Sequence, residues 1–175
     1  MIRTILQSGD PVLRKKSKEV VKIDKKIRDL LKDMHDTLLV QKDPEGIGLA
    51  APQIGKNFRI FLMKPKDEET IIINPKIITI EKSKKKGKKI KSDIMEGCLS
   101  LPHYYGPLKR AQKITLEYMD ENWIKQTRTY EGLLAQIIQH EIDHLDGVLF
   151  IDRLLIQQKP LYQLRNGEWE EVELL

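Results

Sequence analysis

The sequence predicts a single α+β domain, and three observations carry that prediction. A chain of 175 residues is long enough to bury one sizeable core and lies within the size range of one domain. Two segments place their apolar residues at the helical spacings of three and four, whereas the other regular segments are short apolar or alternating runs of strand type. These strands fall in groups apart from the two helices, an arrangement that argues for α+β and against a doubly wound parallel sheet. Neither a repeat nor a linker interrupts residues 1–175, so one domain is expected over that whole length.

In chain order, Asp24 is placed to cap a helix whose Ile27, Leu30, Leu31, Met34 and Leu38 form one apolar stripe ending near Gln41. The segment DPEGIGLAAPQIG at 43–55, with three glycines and two prolines, reads as a loop before the strand-like RIFLM at 59–63. A second strand-like run at 70–80 is interrupted at Asn74-Pro75, where proline lacks the N–H of a ladder, so an edge position or a bend is expected. KITLEYMD at 113–120 and IKQTRTYE at 124–131 flank a Glu121-Asn122 turn and read as a hairpin. Leu133, Leu134, Ile137, Ile138, Ile142 and Leu145 then suit a largely buried helix, with Gly147 where such a helix stops. The residues beyond are read as a strand-like tail whose Asn166-Gly167 marks a tight hairpin.

Composition limits the classes of function. Hydrophobic residues make up 40% and charged residues 33%, and no apolar run approaches the ~20 residues that cross a bilayer. A soluble protein with no membrane partner is expected. The opening MIRTILQSGDPVLRKK lacks the apolar centre and cleavage site of an export signal, which makes the cytoplasm the default location. The one cysteine, Cys98, excludes an intramolecular disulfide framework and leaves packing, metal ligation or nucleophilic chemistry. Much of the net charge of +5 sits in EKSKKKGKKIKS at 81–92. Without interleaved aromatics such a run reads as a solvated loop, and DNA is not an expected partner.

The chemistry-bearing pattern is His140-Glu141-x-x-His144 on the second helix. Histidines four residues apart share a helix face about one turn apart and can hold one divalent ion, with Glu141 beside them to move protons. A mostly apolar helix has little reason to group His, Glu and His unless an ion satisfies them. A catalytic site needs a third protein ligand and an open position for water. The longer protease pattern that would place a third histidine at position 150 fails, because that residue is Phe150. Glu168, Glu170 and Glu171 lie in the tail and make poor candidates, and His35 and His103 are isolated histidines of surface or packing type. Cys98, in the extended segment EGCLSLP, is the favoured third ligand. Another metallohydrolase, a structural metal protein and a polyanion-binding module remain the rival classes.

GIGLAAPQIG at 46–55, EGCLSLP at 96–102 and QHEIDHLDG at 139–147, present together and in this order, resemble the peptide deformylase family, and the similarity runs to about Arg153. The resemblance implies an α+β fold with antiparallel or mixed sheets around a buried H-E-x-x-H helix, and hydrolytic removal of the formyl group from the N-terminal methionine of newly made polypeptides. It implies Cys98, His140 and His144 as ligands, Glu141 as general base and acid, and the Gln53 amide and Leu99 N–H as donors to the developing oxyanion. It also implies peptide pairing with Ile47 and Gly48 on one side and Gly97 on the other, with the methionine in a pocket of Ile47, Ile94, Glu96, Leu133 and Ile137. The ion implied is Fe2+, although a thiolate and two imidazoles also suit Zn2+, Ni2+ or Co2+. Three features depart from many members: Tyr105 stands in place of an arginine, the lysine-rich insert lacks a counterpart, and the tail is a hairpin instead of the long helix with which members often dock on the ribosome. A weak ribosome contact through the lysine segment is the corresponding expectation.

Overall fold

A computed structural model describes residues 1–81 and 95–173 of the chain. Most of the lysine-rich segment and the expected pocket residue Ile94 lie outside the described residues.

Helix α1 (Lys25–Leu39) begins where Asp24 accepts the Ile27 N–H at 3.0 Å. Its buried stripe Ile27, Leu30, Leu31, Met34 and Leu38 packs against Leu49, Ile60, Leu62 and Ile73. The nine strands among the described residues are β1 (Gly48–Ala50), β2 (Ile60–Met63), β3 (Thr70–Glu81), β4 (Met95–Cys98), β5 (Leu101–Pro107), β6 (Lys113–Met119), β7 (Lys125–Glu131), β8 (Leu161–Arg165) and β9 (Glu168–Val172). They form two antiparallel sheets, one in the order β1-β2-β3-β6-β7 and one in the order β4-β5-β8-β9.

The segment expected as a loop at 43–55 is more ordered than its glycines and prolines imply. It contains β1 and a 3-10 turn at Ala51–Ile54 that Gly55 closes in the left-handed region, at φ 75°. Of the two options at Asn74-Pro75, the edge position is excluded, because β3 lies in the middle of its sheet. Asn74 takes φ 51°, and the register shifts between Ile73 and Lys76, so an irregularity absorbs the missing proline donor. The Asn74 side chain leaves the ladder altogether, accepting the Val20 N–H and donating to the Val20 carbonyl at 2.9 and 2.7 Å.

Both expected hairpins form. Asp120 accepts the N–H groups of Asn122 and Ile124 between β6 and β7, and Asn166 and Gly167 turn β8 into β9 at φ 52° and 83°. Helix α2 (Leu133–Leu145) lays Ala135, Ile138 and Leu145 on Phe61, Ile72, Ile114 and Leu116 of the larger sheet. Its opposite side meets β4 of the smaller sheet. The helix therefore lies between the two sheets, where polar side chains are shielded from water.

The strand-like reading of the tail needs one correction. Residues Phe150–Gln157 form a third helix, α3. Asp152 accepts the Leu149 N–H at 2.8 Å at its start, and Phe150 and Leu154, one turn apart, are buried together with Cys98, Leu108 and Leu161. Only two turns long, α3 offers too short a window for helical periodicity to stand out from the neighbouring strands.

Candidate metal centre

Helix α2 and strand β4 bring three ligand groups together. His140 and His144 project from one face of α2, and Cys98 ends β4 just before the turn to β5; all three are buried. Their ligand atoms lie within 4.8 Å of one another, and Cys98 Sγ is 3.2 Å from His144 Nε2. The three atoms are close enough for one small ion to reach them all, and one sulfur with two imidazole nitrogens is a donor set that divalent transition ions accept. Among the described residues no other group of three such side chains is arranged in this way.

Glu96 sits two residues before Cys98, on the same face of β4. Its Oε1 is 2.7 Å from His140 Nδ1, which leaves Nε2 as the ring nitrogen for ligation. Arg110 fixes that carboxylate, donating to Glu96 Oε1 and Oε2 at 2.6 and 3.0 Å, and Gln136 adds a bond at 3.2 Å. Arg110 also donates to Asp143 of α2 at 2.6 Å, and Arg153 of α3 grips the same Asp143 at 2.5 and 3.0 Å. One buried ion network thus ties β4, α2 and α3 into a single unit. Sequence reasoning placed Glu96 in the wall of a substrate pocket; it does line the cavity, but its carboxylate is engaged by Arg110 and His140. Arg110, Gln136, Asp143 and Arg153 were missed. The only local signal among them was Asp143 inside H-E-x-D-H.

The charges follow the packing. Burial alone raises the Glu96 carboxyl, but His140 and Arg110 outweigh it and hold the group well below the usual carboxylate range. Burial likewise raises the Cys98 thiol, while the charge of His144 and hydrogen bonds from both histidines bring it well below the usual thiol value, toward the thiolate that ligates. For His140 the cost of burial is exceeded by the Glu96 carboxylate. Glu141 differs: burial dominates and pushes it up to about 7, and its Oε2 has no hydrogen-bond partner among the described residues. A Cβ on Gly48 would collide with this carboxylate, so any larger residue where β1 passes it would displace Glu141.

Gln53, in the 3-10 turn, accepts the Ala50 N–H on Oε1 at 2.8 Å, which fixes the amide so that Nε2 points to Ser100 Oγ at 3.1 Å and Cys98 Sγ at 3.6 Å. Leu99 lies in the turn between β4 and β5. These groups border a cavity of about 330 Å³, into which Ile47, Gly48, Gly97, Leu133 and Ile137 also face. All the expected site residues among those described are therefore brought together. The cavity wall also includes Pro44, Glu45 and Met95, which the sequence did not mark, Tyr105, noted there only as a departure from the family, and His103, expected as a surface or packing residue. His35 instead pairs with Glu69 at 2.7 Å, and Glu168, Glu170 and Glu171 are exposed on β9. Phe150 is buried with its ring 6.3 Å from that of His140, so the position tested for a third histidine carries packing. Strands β1 and β4 are each the outer strand of their sheet, and residues of both line the cavity.

Comparison with known proteins agrees with this geometry. A family model described as polypeptide deformylase matches residues 2–160. The peptide deformylase of Dictyoglomus thermophilum is 42% identical over 153 residues, covering 87% of this chain and 93% of the relative, and peptide deformylase 2 of Clostridium acetobutylicum is 45% identical over 151 residues, covering 86% and 94%. Among solved structures, a peptide deformylase from Legionella pneumophila matches with a TM-score of 0.76 at 40% identity, covering 88% of this chain and 86% of that one. A peptide deformylase from Synechococcus elongatus in complex with actinonin matches at 0.75 and 38%, covering 85% and 76%.

Because Glu96 selects the ligating nitrogen of His140, Glu96→Gln should weaken divalent-ion binding about 10- to 100-fold in competition with a chromogenic chelator. Unchanged affinity in a folded variant would show that the pair does not tune the site.

Proposed function

The chain belongs to the polypeptide deformylase family, and on that premise we propose how its own residues carry out the hydrolytic removal of the formyl group from the N-terminal methionine of new polypeptides. The observation that carries the reading is the buried Glu141 carboxylate, one oxygen of which has no partner among the described residues, beside the Cys98, His140 and His144 cluster. Those three residues would hold one divalent ion, whose chemistry when bound is to acidify water toward neutral pH and to polarise a carbonyl.

Glu141 accepts the proton of the attacking water and later delivers it to the methionine nitrogen as the formamide C–N bond breaks, giving formate and a free amine. Burial favours the protonated form of this carboxyl, which suits both taking up the proton and holding it for the leaving amine. The Gln53 amide, turned inward by its bond to Ala50, and the Leu99 N–H donate to the oxygen that gains charge during attack. The outer edges of β1 and β4 offer backbone groups at Ile47, Gly48 and Gly97 for an extended peptide, which adds as a strand between them. Ile47, Leu133 and Ile137 provide an apolar slot for the unbranched methionine side chain.

We assign the ion as iron. The donor set alone does not separate Fe2+ from Zn2+, Ni2+ or Co2+, and the family resemblance supports Fe2+. No helix among the described residues is long and apolar enough to cross a membrane, and work on new polypeptides supports a cytoplasmic setting. A weak ribosome contact through the lysine-rich segment remains part of this reading.

Three measurements follow from these assignments. Glu141→Ala should retain the ion and lose formate release from a formyl-methionyl peptide by about 10²- to 10⁴-fold; near-normal release would remove Glu141 from the mechanism, and cleavage of internal bonds without formate would point to a peptidase. Peroxide should inactivate anaerobically purified protein faster than a nickel-substituted preparation, with equal sensitivity counting against an oxidisable native ion. Deleting residues 82–89 should reduce co-sedimentation with ribosomes at low salt, and an unchanged pellet would dismiss that contact.

A further inference from the structure

The cavity has an outer wall that deformylation itself does not use. Tyr105 pairs with Gly97 across β4 and β5, and its ring edge comes so close that a Cβ on Gly97 would lie 2.6 Å from Tyr105 Cε1. Trp169 of the C-terminal hairpin meets the Tyr105 ring edge-on, with centroids 5.2 Å apart. Glu45, which also lines the cavity, is exposed and has no ion-pair partner among the described residues. Asp43, 88% exposed, stands 3.9 Å from His103 of the same wall.

The strand geometry says which substrate residue meets this wall, and the argument rests on the deformylase reading above. In an extended chain successive side chains point to opposite faces. Glu96 and Cys98 face α2, whereas Gly97 and its cross-strand partner Tyr105 face the other way. A peptide added to β4 with its methionine directed toward Leu133 and Ile137 of α2 therefore turns its second side chain to the face of Tyr105. Burial and then the nearby Asp43 carboxylate raise the Tyr105 phenol, and Glu45 lines the same cavity as that ring, so an aromatic ring and two acidic side chains at this end of the cavity favour a cation. We propose that Tyr105, Glu45 and Asp43 form a recognition site for a lysine or arginine that directly follows the formyl-methionine.

The test compares kcat/KM for formate release from formyl-Met-Lys, formyl-Met-Ala and formyl-Met-Glu amides by the metal-loaded protein. The lysine peptide should exceed the glutamate peptide by about five-fold at low ionic strength, and the ratio should narrow in ~0.5 M salt. In the surface double variant Asp43→Asn/Glu45→Gln the ratio should fall below about two-fold. A wild-type ratio near one or favouring glutamate, or a ratio that the double variant leaves unchanged, would overturn the proposal. Absence of formate release from all three peptides would instead overturn the deformylase reading.

Discussion

The interaction on which the site depends is the buried bridge from Glu96 through Arg110 to Asp143. The ligand set is split between two elements, Cys98 on β4 and the histidines on α2, so its geometry is only as good as the hold between them. Charged side chains this well buried pay a large desolvation cost, and removing one partner of such a pair typically costs about 3–5 kcal/mol. Here each is satisfied several times over: Arg110 reaches two carboxylates, Asp143 is gripped by two arginines, and Glu96 also orients His140. An apolar substitute could hold the two elements together, but it could not select which nitrogen of His140 faces the ion.

The second constraint is room. Gly48 lets β1 pass against the Glu141 carboxylate, and Gly97 leaves space for the Tyr105 ring. Both glycines lie on outer strands whose free edges border the cavity. Close backbone approach and an open hydrogen-bonding edge are what an extended peptide requires. The same two strands thus shape the substrate path and carry groups of the chemical centre.

Much of this was legible in the sequence because it depends on local spacing. The four-residue interval of His140 and His144, the stripe of α1 and the Asn166-Gly167 turn each carry their geometry within a few residues. Cys98 was reached by excluding Phe150 and the tail glutamates, and three joined motifs gave the family. What stayed hidden is long-range or weakly periodic. Arg110 lies 14 residues from Glu96 and 33 from Asp143 in the chain, and nothing near it in the sequence indicates a buried arginine. Helix α3 is too short for its period to be read, β1 is concealed among glycines and prolines, and His103 joins the cavity only through the β4–β5 hairpin.

Coordination of one ion by Cys98, His140 and His144 together is the claim from which the rest follows. X-ray absorption at the edge of the bound metal, on anaerobically loaded protein, tests it most directly. The account predicts one sulfur neighbour at about 2.3 Å and two imidazole nitrogens at about 2.1 Å, with the sulfur lost in Cys98→Ser. A shell of nitrogen and oxygen alone in the unmodified protein would contradict it.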